Sequence, residues 1–327
     1  MNSLSADYIK NRAKEYGFVK TDGFSLSCLE SVDSTNMRIK EAIRQKAPEW
    51  TVVSALCQSK GYGRQGRTWS SPLGGLYVSL LLRPFEHPAF AAQGGKQHLP
   101  TLSLALSIAV CRFLDTLGVG KKAQVKWPND IVVNLEDIDI PSSSECGLAF
   151  LSNYAVNYEG NAIGSAHNDV PHSSQGKLAG ISVEMVDGAI CAGIGINLFP
   201  LTYQADMSQK YRSISVLELI GQQEPSTSSL SFGYMSSQER YMEDALAVLL
   251  HKVQCVYNQW LVEGFPPFRD EYRAKSSLQG QVVRLVSLTH DILFEGVVCD
   301  IDAGGLLCLR DEEGVVTHAH SGEVHLM

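Results

Sequence analysis

Residues 51–82 read TVVSALCQSKGYGRQGRTWSSPLGGLYVSLLL, and the fold turns on how this stretch is read. Residues 51–57 are β-branched and apolar, the composition of a buried strand, and residues 76–82 form a second such run. Between them lies Gly61-Tyr62-Gly63-Arg64-Gln65-Gly66-Arg67, whose first six residues fit G-x-G-x-x-G. A dinucleotide-binding fold needs a helix that starts inside this motif, so that its N-terminal amides hold a pyrophosphate. Here Thr68-Trp69-Ser70-Ser71-Pro72-Leu73-Gly74-Gly75 follows, poor helix material leading straight into the next strand. Glu86 stands near the spacing of a ribose-binding acid, but Pro84 intervenes and no helix separates the strands. The Rossmann reading fails on context. What remains is a glycine-rich loop with two arginines. Glycines let backbone amides approach a ligand, and arginine recognises phosphate oxygens with several coplanar donors. A plain solvated turn would not need Trp69, nor two buried strands bracketing it.

Outward from this stretch, Asp33-Ser34-Thr35 supply capping residues to a helix over residues 37–46. Residues 101–117 carry apolar side chains at helical spacing (Leu102, Ala105, Ile108, Ala109, Leu114) and end at Gly118. Residues 125–133 read as strand, turn, strand around Pro128. Residues 136–176 are rich in Ser, Asn and Gly, contain Pro141 and Pro171, and show no period, which marks an insertion. Residues 178–186 and 189–198 are apolar runs joined by Asp187-Gly188, a hairpin signal. A long amphipathic helix spans residues 238–262 and stops before Pro266-Pro267. From Leu278 onward, residues 282–288, 292–301, 306–309, 315–318 and 324–326 alternate with Gly-rich turns, predicting a small closed β-barrel. The expected class is α+β: a mixed β-sheet with flanking helices in residues 1–276, interrupted at about 136–176, and a β-barrel domain in residues 277–327.

Composition narrows the function classes. The 327 residues are 44% hydrophobic and 19% charged, which suits a globular core and excludes disorder, collagen-like repeats and a coiled coil. The net charge of −8 opposes non-specific nucleic-acid binding, which draws its affinity from cations displacing counterions. Phosphate chemistry would therefore need a local basic patch. The longest apolar run, residues 102–110, is broken by Ser103 and Ser107 and falls short of the ~18 residues of a membrane span. Residues 1–10 lack a secretory pattern, so the expectation is a cytoplasmic protein that does not contact membrane; mitochondrial import is the alternative. The eight cysteines include no C-x-x-C pair, which argues against zinc or redox work and suits a reducing compartment.

Three further features carry chemistry. Lys126-Trp127-Pro128-Asn129-Asp130 puts a lysine, an amide and a carboxylate at a strand turn, where they could hold a polyphosphate and its magnesium ion, or simply make a turn. Lys177 opens an apolar strand; alone, such a lysine is usually solvated. Gly193 and Gly195 lie inside another strand, which they weaken unless a ligand or a backbone approaches closely.

In this order, VDSTN, GYGRQGRTWSSPLGGLYVSLLL, KWPNDI, KLAGISVE, GIGINL and the final GEVHL resemble the motifs of biotin protein ligases (holocarboxylase synthetases). The resemblance covers residues 29–135 and 176–327 and leaves the insertion unmatched. It implies a class II synthetase-like domain with a C-terminal SH3-like barrel. It also implies ATP-dependent activation of biotin to biotinyl-5′-AMP, then transfer to a lysine of the biotin carboxyl carrier domains of carboxylases. Magnesium would accompany ATP, with no tightly bound cofactor. By the same resemblance Lys177, Arg64 and Arg67 are catalytic, and Ser34, Thr35, Asn36, Gln58, Gly61, Tyr62, Arg64, Lys177 and Gly180 contact biotin. Arg64, Arg67, Trp69, Lys126, Asn129 and Asn197 would bind ATP, and Asp130 the metal ion. The loop is expected to order over the ligand and shut out water. Tyr62 and Gln65 depart from the pattern, standing where many members carry arginine. Only 28 residues precede Leu29, too few for a DNA-binding winged helix, so a monofunctional ligase without repressor activity is expected. A homodimer paired through an edge strand is carried as an expectation. Two rivals stay open: a lipoate or octanoyl ligase, though its loop of three successive glycines is missing, and a non-catalytic adaptor acting through the C-terminal β module.

Overall fold

A computed structural model describes residues 4–19, 24–92, 94–138, 174–200, 212–220, 238–287, 289 and 291–327. Nearly all of the expected insertion, residues 139–173, lies outside the described residues.

The central element is an eight-stranded mixed sheet. Its strands are β1 (Ser25–Val32), β2 (Thr51–Gln58), β3 (Gly75–Leu82), β4 (Gln124–Lys126), β5 (Asp130–Asn134), β6 (Gln175–Val186), β7 (Ala189–Asn197) and β8 (Arg212–Ser213). They run in the order β1-β2-β3-β7-β6-β5-β4, with β8 beside β6. β1 is parallel to β2 and β8 to β6, and the other ladders are antiparallel. The strands read as continuous apolar runs because both faces are covered. Along β2 and β3, successive side chains go to opposite sides: Val52, Leu80 and Leu82 join the large core, while Val53 and Leu81 join a smaller cluster with Ile39 and Ile43. The smaller cluster is roofed by α2 (Thr35–Arg44). The larger core lies beneath α1 (Ala6–Glu15), α4 (Leu102–Thr116) and α6 (Gln238–Glu263). Short helices α3 (Pro88–Ala92), α5 (Val216–Ile220) and α7 (Arg269–Ala274) complete the set described.

The β6–β7 turn holds Asp187 at φ 45° and Gly188 at φ 76°, the paired left-handed conformations of a two-residue hairpin. Residues Leu99–Thr116 have the length and hydropathy of a membrane span, more than the uninterrupted run at 102–110 suggests. Leu102, Ala105, Ile108, Ala109 and Phe113 are buried there against α6 and the sheet, which accounts for the hydropathy as core packing. β6 also begins at Gln175, so Gln175 and Gly176 belong to the sheet and not to the insertion.

A second, antiparallel sheet of five strands follows: β9 (Val282–Val286), β10 (Ile292–Ile301), β11 (Leu307–Arg310), β12 (Val316–Ala319) and β13 (Glu323–Leu326). Its order is β12-β11-β10-β9-β13. It is pinned to the first part of the chain by polar contacts. Trp127 Nε1 donates to Gly305 O at 3.2 Å, and Arg269 donates to Ile301 O at 2.7 Å and to Asp300 Oδ2 at 2.6 Å.

Candidate active site

A cavity of about 470 Å³ opens over the middle of the main sheet, floored by β3, β6 and β7 and walled by the start of α2, the glycine-rich loop and the β4–β5 turn. The loop is a small hairpin. Trp69 N–H donates to Gly61 O at 2.9 Å, Tyr62 pairs with Thr68, and Gly63 N–H donates to Arg67 O at 2.8 Å. Its tip turns through Gln65 and Gly66, both at positive φ (60° and 72°).

The hairpin holds its side chains toward α2, the β4–β5 turn, β13 and the paired strands β6 and β7. Tyr62 packs beneath Lys40, whose ammonium lies 5.1 Å from the ring centroid and 2.6 Å from Glu184 Oε2. Arg64 donates to Asn129 Oδ1 at 3.1 Å. Burial lowers the Arg64 pKa, partly opposed by the charge of Asp130, but a guanidinium stays cationic at any physiological pH. Arg67 forms an ion pair with Glu323 on β13. Trp69 lies on Gly180 and Gly195: a Cβ on Gly195 would stand 2.9 Å from Trp69 Nε1, and one on Gly180 3.1 Å from Cζ3. These strand glycines exist so that an indole can lie flat against the sheet. The Trp69 indole Nε1–H is buried without a hydrogen-bond partner among the described residues, and the residue lines the cavity.

Lys177 completes the cationic end, with Nζ 2.8 Å from Asp130 Oδ2 and 4.9 Å from the Trp69 ring centroid. Lys126, 5% exposed, donates to Gln175 Oε1 at 3.2 Å. Arg64, Arg67, Lys126 and Lys177 thus line one cavity, although 113 positions separate the first from the last. Asn197 lines it too and braces the strand under Lys177, donating to Lys177 O at 3.1 Å and Ile214 O at 3.2 Å.

The opposite end is neutral and polar. Thr35 donates to Gln58 Oε1 through N–H (2.8 Å) and hydroxyl (3.1 Å), while Gln58 Nε2 donates to Ser71 Oγ at 2.8 Å. Ser79 Oγ lies 2.7 Å from Thr35 Oγ1 and 2.6 Å from Asn36 Oδ1, and Asn36 Nδ2 donates to Ser182 Oγ at 3.0 Å. Gly193 makes room for this network, since a Cβ there would stand 2.2 Å from Asn36 Oδ1.

Two residues expected at biotin lie outside the cavity wall. Ser34 is buried at the N-cap of α2, its N–H bonded to Asp33 Oδ1 at 2.7 Å. Gly61 does not line the cavity, and a Cβ there would meet Ser71 Oγ at 2.3 Å and Trp69 O at 2.6 Å. Conversely, Ser79, Ser182 and the Gly322-Glu323-Val324 stretch line the cavity without having been singled out. The serines had a signal, being polar residues inside apolar strands; the last three fall in the GEVHL motif, but their place at the cavity comes from the tertiary fold.

Asp130 could hold a magnesium ion only in part. Its Oδ1 accepts from Asn129 Nδ2 at 3.2 Å and its Oδ2 faces Lys177. Among the described residues no second carboxylate, thiol or imidazole joins it in a ligand cluster. That donor set fits an ion carried mainly by substrate phosphates, the usual mode for Mg²⁺.

Residues 28–198, just over half of the chain, match the profile of the Biotin/lipoate A/B protein ligase family. The chain belongs to that family. Among curated relatives, this biotin/lipoate ligase family member is 36% identical over 104 residues to the bifunctional ligase/repressor BirA of Bacillus spizizenii, covering 32% of the chain and 29% of that protein. It is 25% identical over 293 residues to the biotin--[acetyl-CoA-carboxylase] ligase of Paracoccus denitrificans, 88% of the chain and 94% of the relative. The matched segment spans about a third of the length of the first curated relatives. In fold it resembles the biotin protein ligase from Aquifex aeolicus in complex with biotin and ATP, with a TM-score of 0.59 at 22% identity over 94% of this chain and 99% of that one.

Proposed function

We propose that this chain is a biotin–protein ligase that makes biotinyl-5′-AMP from biotin and ATP and passes the biotinyl group to a carrier-domain lysine. The reading rests on one observation: four cationic side chains share a cavity whose far end is a neutral hydrogen-bonding network. Biotin has that polarity, an anionic carboxylate on an apolar chain ending in a neutral ureido ring. Thr35, Asn36, Gln58 and Ser182 offer donors and acceptors to the ureido group, and Tyr62 and Gly180 flank the body of the molecule.

In the first step a biotin carboxylate oxygen attacks the α-phosphorus of ATP, and the bond to pyrophosphate breaks. Two anions must meet, so fixed cations at the junction lower the barrier most. Lys177 stands at that junction, Arg64 and Arg67 bracket the α- and β-phosphates, and Lys126 and Asn129 hold the remainder with the adenosine beside Trp69 and Asn197. Asp130 and Asn129 would hold magnesium, which shields phosphate charge when bound. In the second step the lysine amine attacks the acyl carbon and AMP departs. Between the steps the hairpin excludes water from an intermediate that hydrolyses readily. The Proposed partners are the biotin carboxyl carrier domains of carboxylases.

The test is incubation with biotin, ATP and Mg²⁺ and a biotin-free carrier domain. One biotinyl mass increment on that domain, dependent on ATP, is expected. Labelling of a lipoyl domain with lipoate instead would move the chain to the other branch of its family, and no labelling of either would favour an adaptor.

A further inference from the structure

The C-terminal sheet carries a cluster that the proposed reaction does not use. Asp302 follows β10, Cys308 lies on β11 and His318 on β12, and the last two are direct cross-strand partners. This register brings Cys308 Sγ to 3.7 Å from His318 Nδ1, and Asp302 Oδ2 lies 2.9 Å from the same nitrogen. The three ligand atoms fall within 4.8 Å of one another. Asp302 Oδ1 accepts from Gly304 N and Leu306 N at 2.9 Å each, which fixes the direction of Oδ2.

A nucleophile triad is excluded by this geometry. A base that activates a thiol uses one ring nitrogen while its orienting carboxylate uses the other. Here acid and thiol converge on Nδ1. One sulfur, one nitrogen and one oxygen around a common point are instead the donor set of a tetrahedral divalent ion, with water as the fourth ligand. Ligand bonds of about 2.0–2.3 Å at tetrahedral angles put donors roughly 3.3–3.7 Å apart. The Cys308–His318 spacing of 3.7 Å lies at that range and the Asp302–His318 spacing of 2.9 Å reaches it with a shift of a few tenths of an ångström, while Asp302 and Cys308, within 4.8 Å of each other, would have to close on the ion. The side chain of His318 is 47% exposed, giving entry from solvent, whereas Cys308 is buried. A thiolate with an imidazole favours zinc over magnesium or calcium.

We propose that Asp302, Cys308 and His318 form a zinc site that ties β10, β11 and β12 together. Without an ion the thiol stays protonated, because burial and the charge of Asp302 push it up to about 11; metal binding reverses that and releases a proton. The 302/308/318 spacing contains no C-x-x-C pair, so only the β-sheet register reveals it. β12 leads into the turn before Glu323, so an ion here would also steady the strand preceding the cavity wall.

The test uses the tag-free full chain, stripped with a chelator and titrated with Co²⁺. One equivalent is expected to give thiolate-to-cobalt charge-transfer absorption that Zn²⁺ abolishes, and Zn²⁺ is expected to raise the melting temperature. Cys308→Ser and the half-exposed His318→Ala should each lose the band while keeping the circular dichroism of the parent; Asp302→Asn should weaken Co²⁺ binding at least tenfold. Cys255, 3.7 Å from His251 in another sulfur–nitrogen pair, is the control, and Cys255→Ser should keep the band. No band in the parent, a band that survives Cys308→Ser, or one lost in Cys255→Ser overturns the proposal.

Discussion

Lys177 Nζ faces Asp130 Oδ2 at 2.8 Å across the β5–β6 ladder, where residue 130 pairs with Gly180 and not with residue 177. The ion pair thus spans adjacent strands on a diagonal and aims the ammonium along the cavity floor instead of out to solvent. In the proposed reaction an incoming carboxylate or phosphate shares this lysine with Asp130, and the cation stabilises the charge that develops there. Replacing Lys177 by Met removes it while keeping most of the side-chain bulk. Biotin-dependent adenylate formation should fall by about 10²–10³-fold, the usual cost of losing one such stabilising group. Single-turnover kinetics with labelled ATP measure this. The melting temperature should hardly move, because the side chain is 24% exposed and the pair is worth little to stability.

Arg64 reaches across from the hairpin to Asn129, and in the proposed reaction this contact closes the cavity over the nucleotide. Arg64→Gly should raise release of the acyl-adenylate into solution while affecting biotin binding far less. Chromatographic assay of free intermediate checks this, and unchanged release would remove Arg64 from the role.

Arg67 is more than half exposed and its ion pair with Glu323 contributes roughly 0–1 kcal/mol to stability. In the proposed reaction its consequence is competition, since Glu323 occupies the guanidinium assigned there to phosphate. Glu323→Gln should lower the KM for ATP, Arg67→Ala should raise it, and Glu323→Gln should have no effect once Arg67 is gone. A double-mutant cycle on ATP KM reads this coupling. An increase in KM for Glu323→Gln alone would contradict it.

Gly193→Ala places a methyl 2.2 Å from Asn36 Oδ1 and 2.7 Å from Ser182 Oγ. Both are fixed in a buried network, so the strand or the network must shift, at a cost of about 1–3 kcal/mol. Denaturant unfolding should show that loss, and calorimetry should show weaker biotin binding with ATP affinity retained.

Much of this was legible in the chain itself. The apolar runs around residues 51–57, 76–82 and 178–198 became β2, β3, β6 and β7, because strands covered on both faces need continuous apolar sequence. α1 and β1 escaped notice: α1 buries only Ile9 and Ala13, and β1 mixes serines and a glutamate at the sheet edge. The cations were individually visible, but their convergence depends on strand order β3-β7-β6-β5, which no local pattern encodes. Glu323 could not be foreseen, since its place beside Arg67 comes from docking of the second sheet through Trp127 and Arg269. Ser34 and Gly61 carry motif positions, yet the fold sets them behind the cavity wall, Ser34 at the start of α2 and Gly61 against Ser71 and Trp69.

The central claim is that the cationic end of the cavity joins biotin's carboxylate to the α-phosphate of ATP. Isotope exchange between pyrophosphate and ATP reads that step alone, without any carrier domain. Exchange that appears on adding biotin, stays absent with lipoate, and collapses in Lys177→Met is the result predicted. Exchange driven by lipoate, or biotin-driven exchange that Lys177→Met leaves intact, would contradict it.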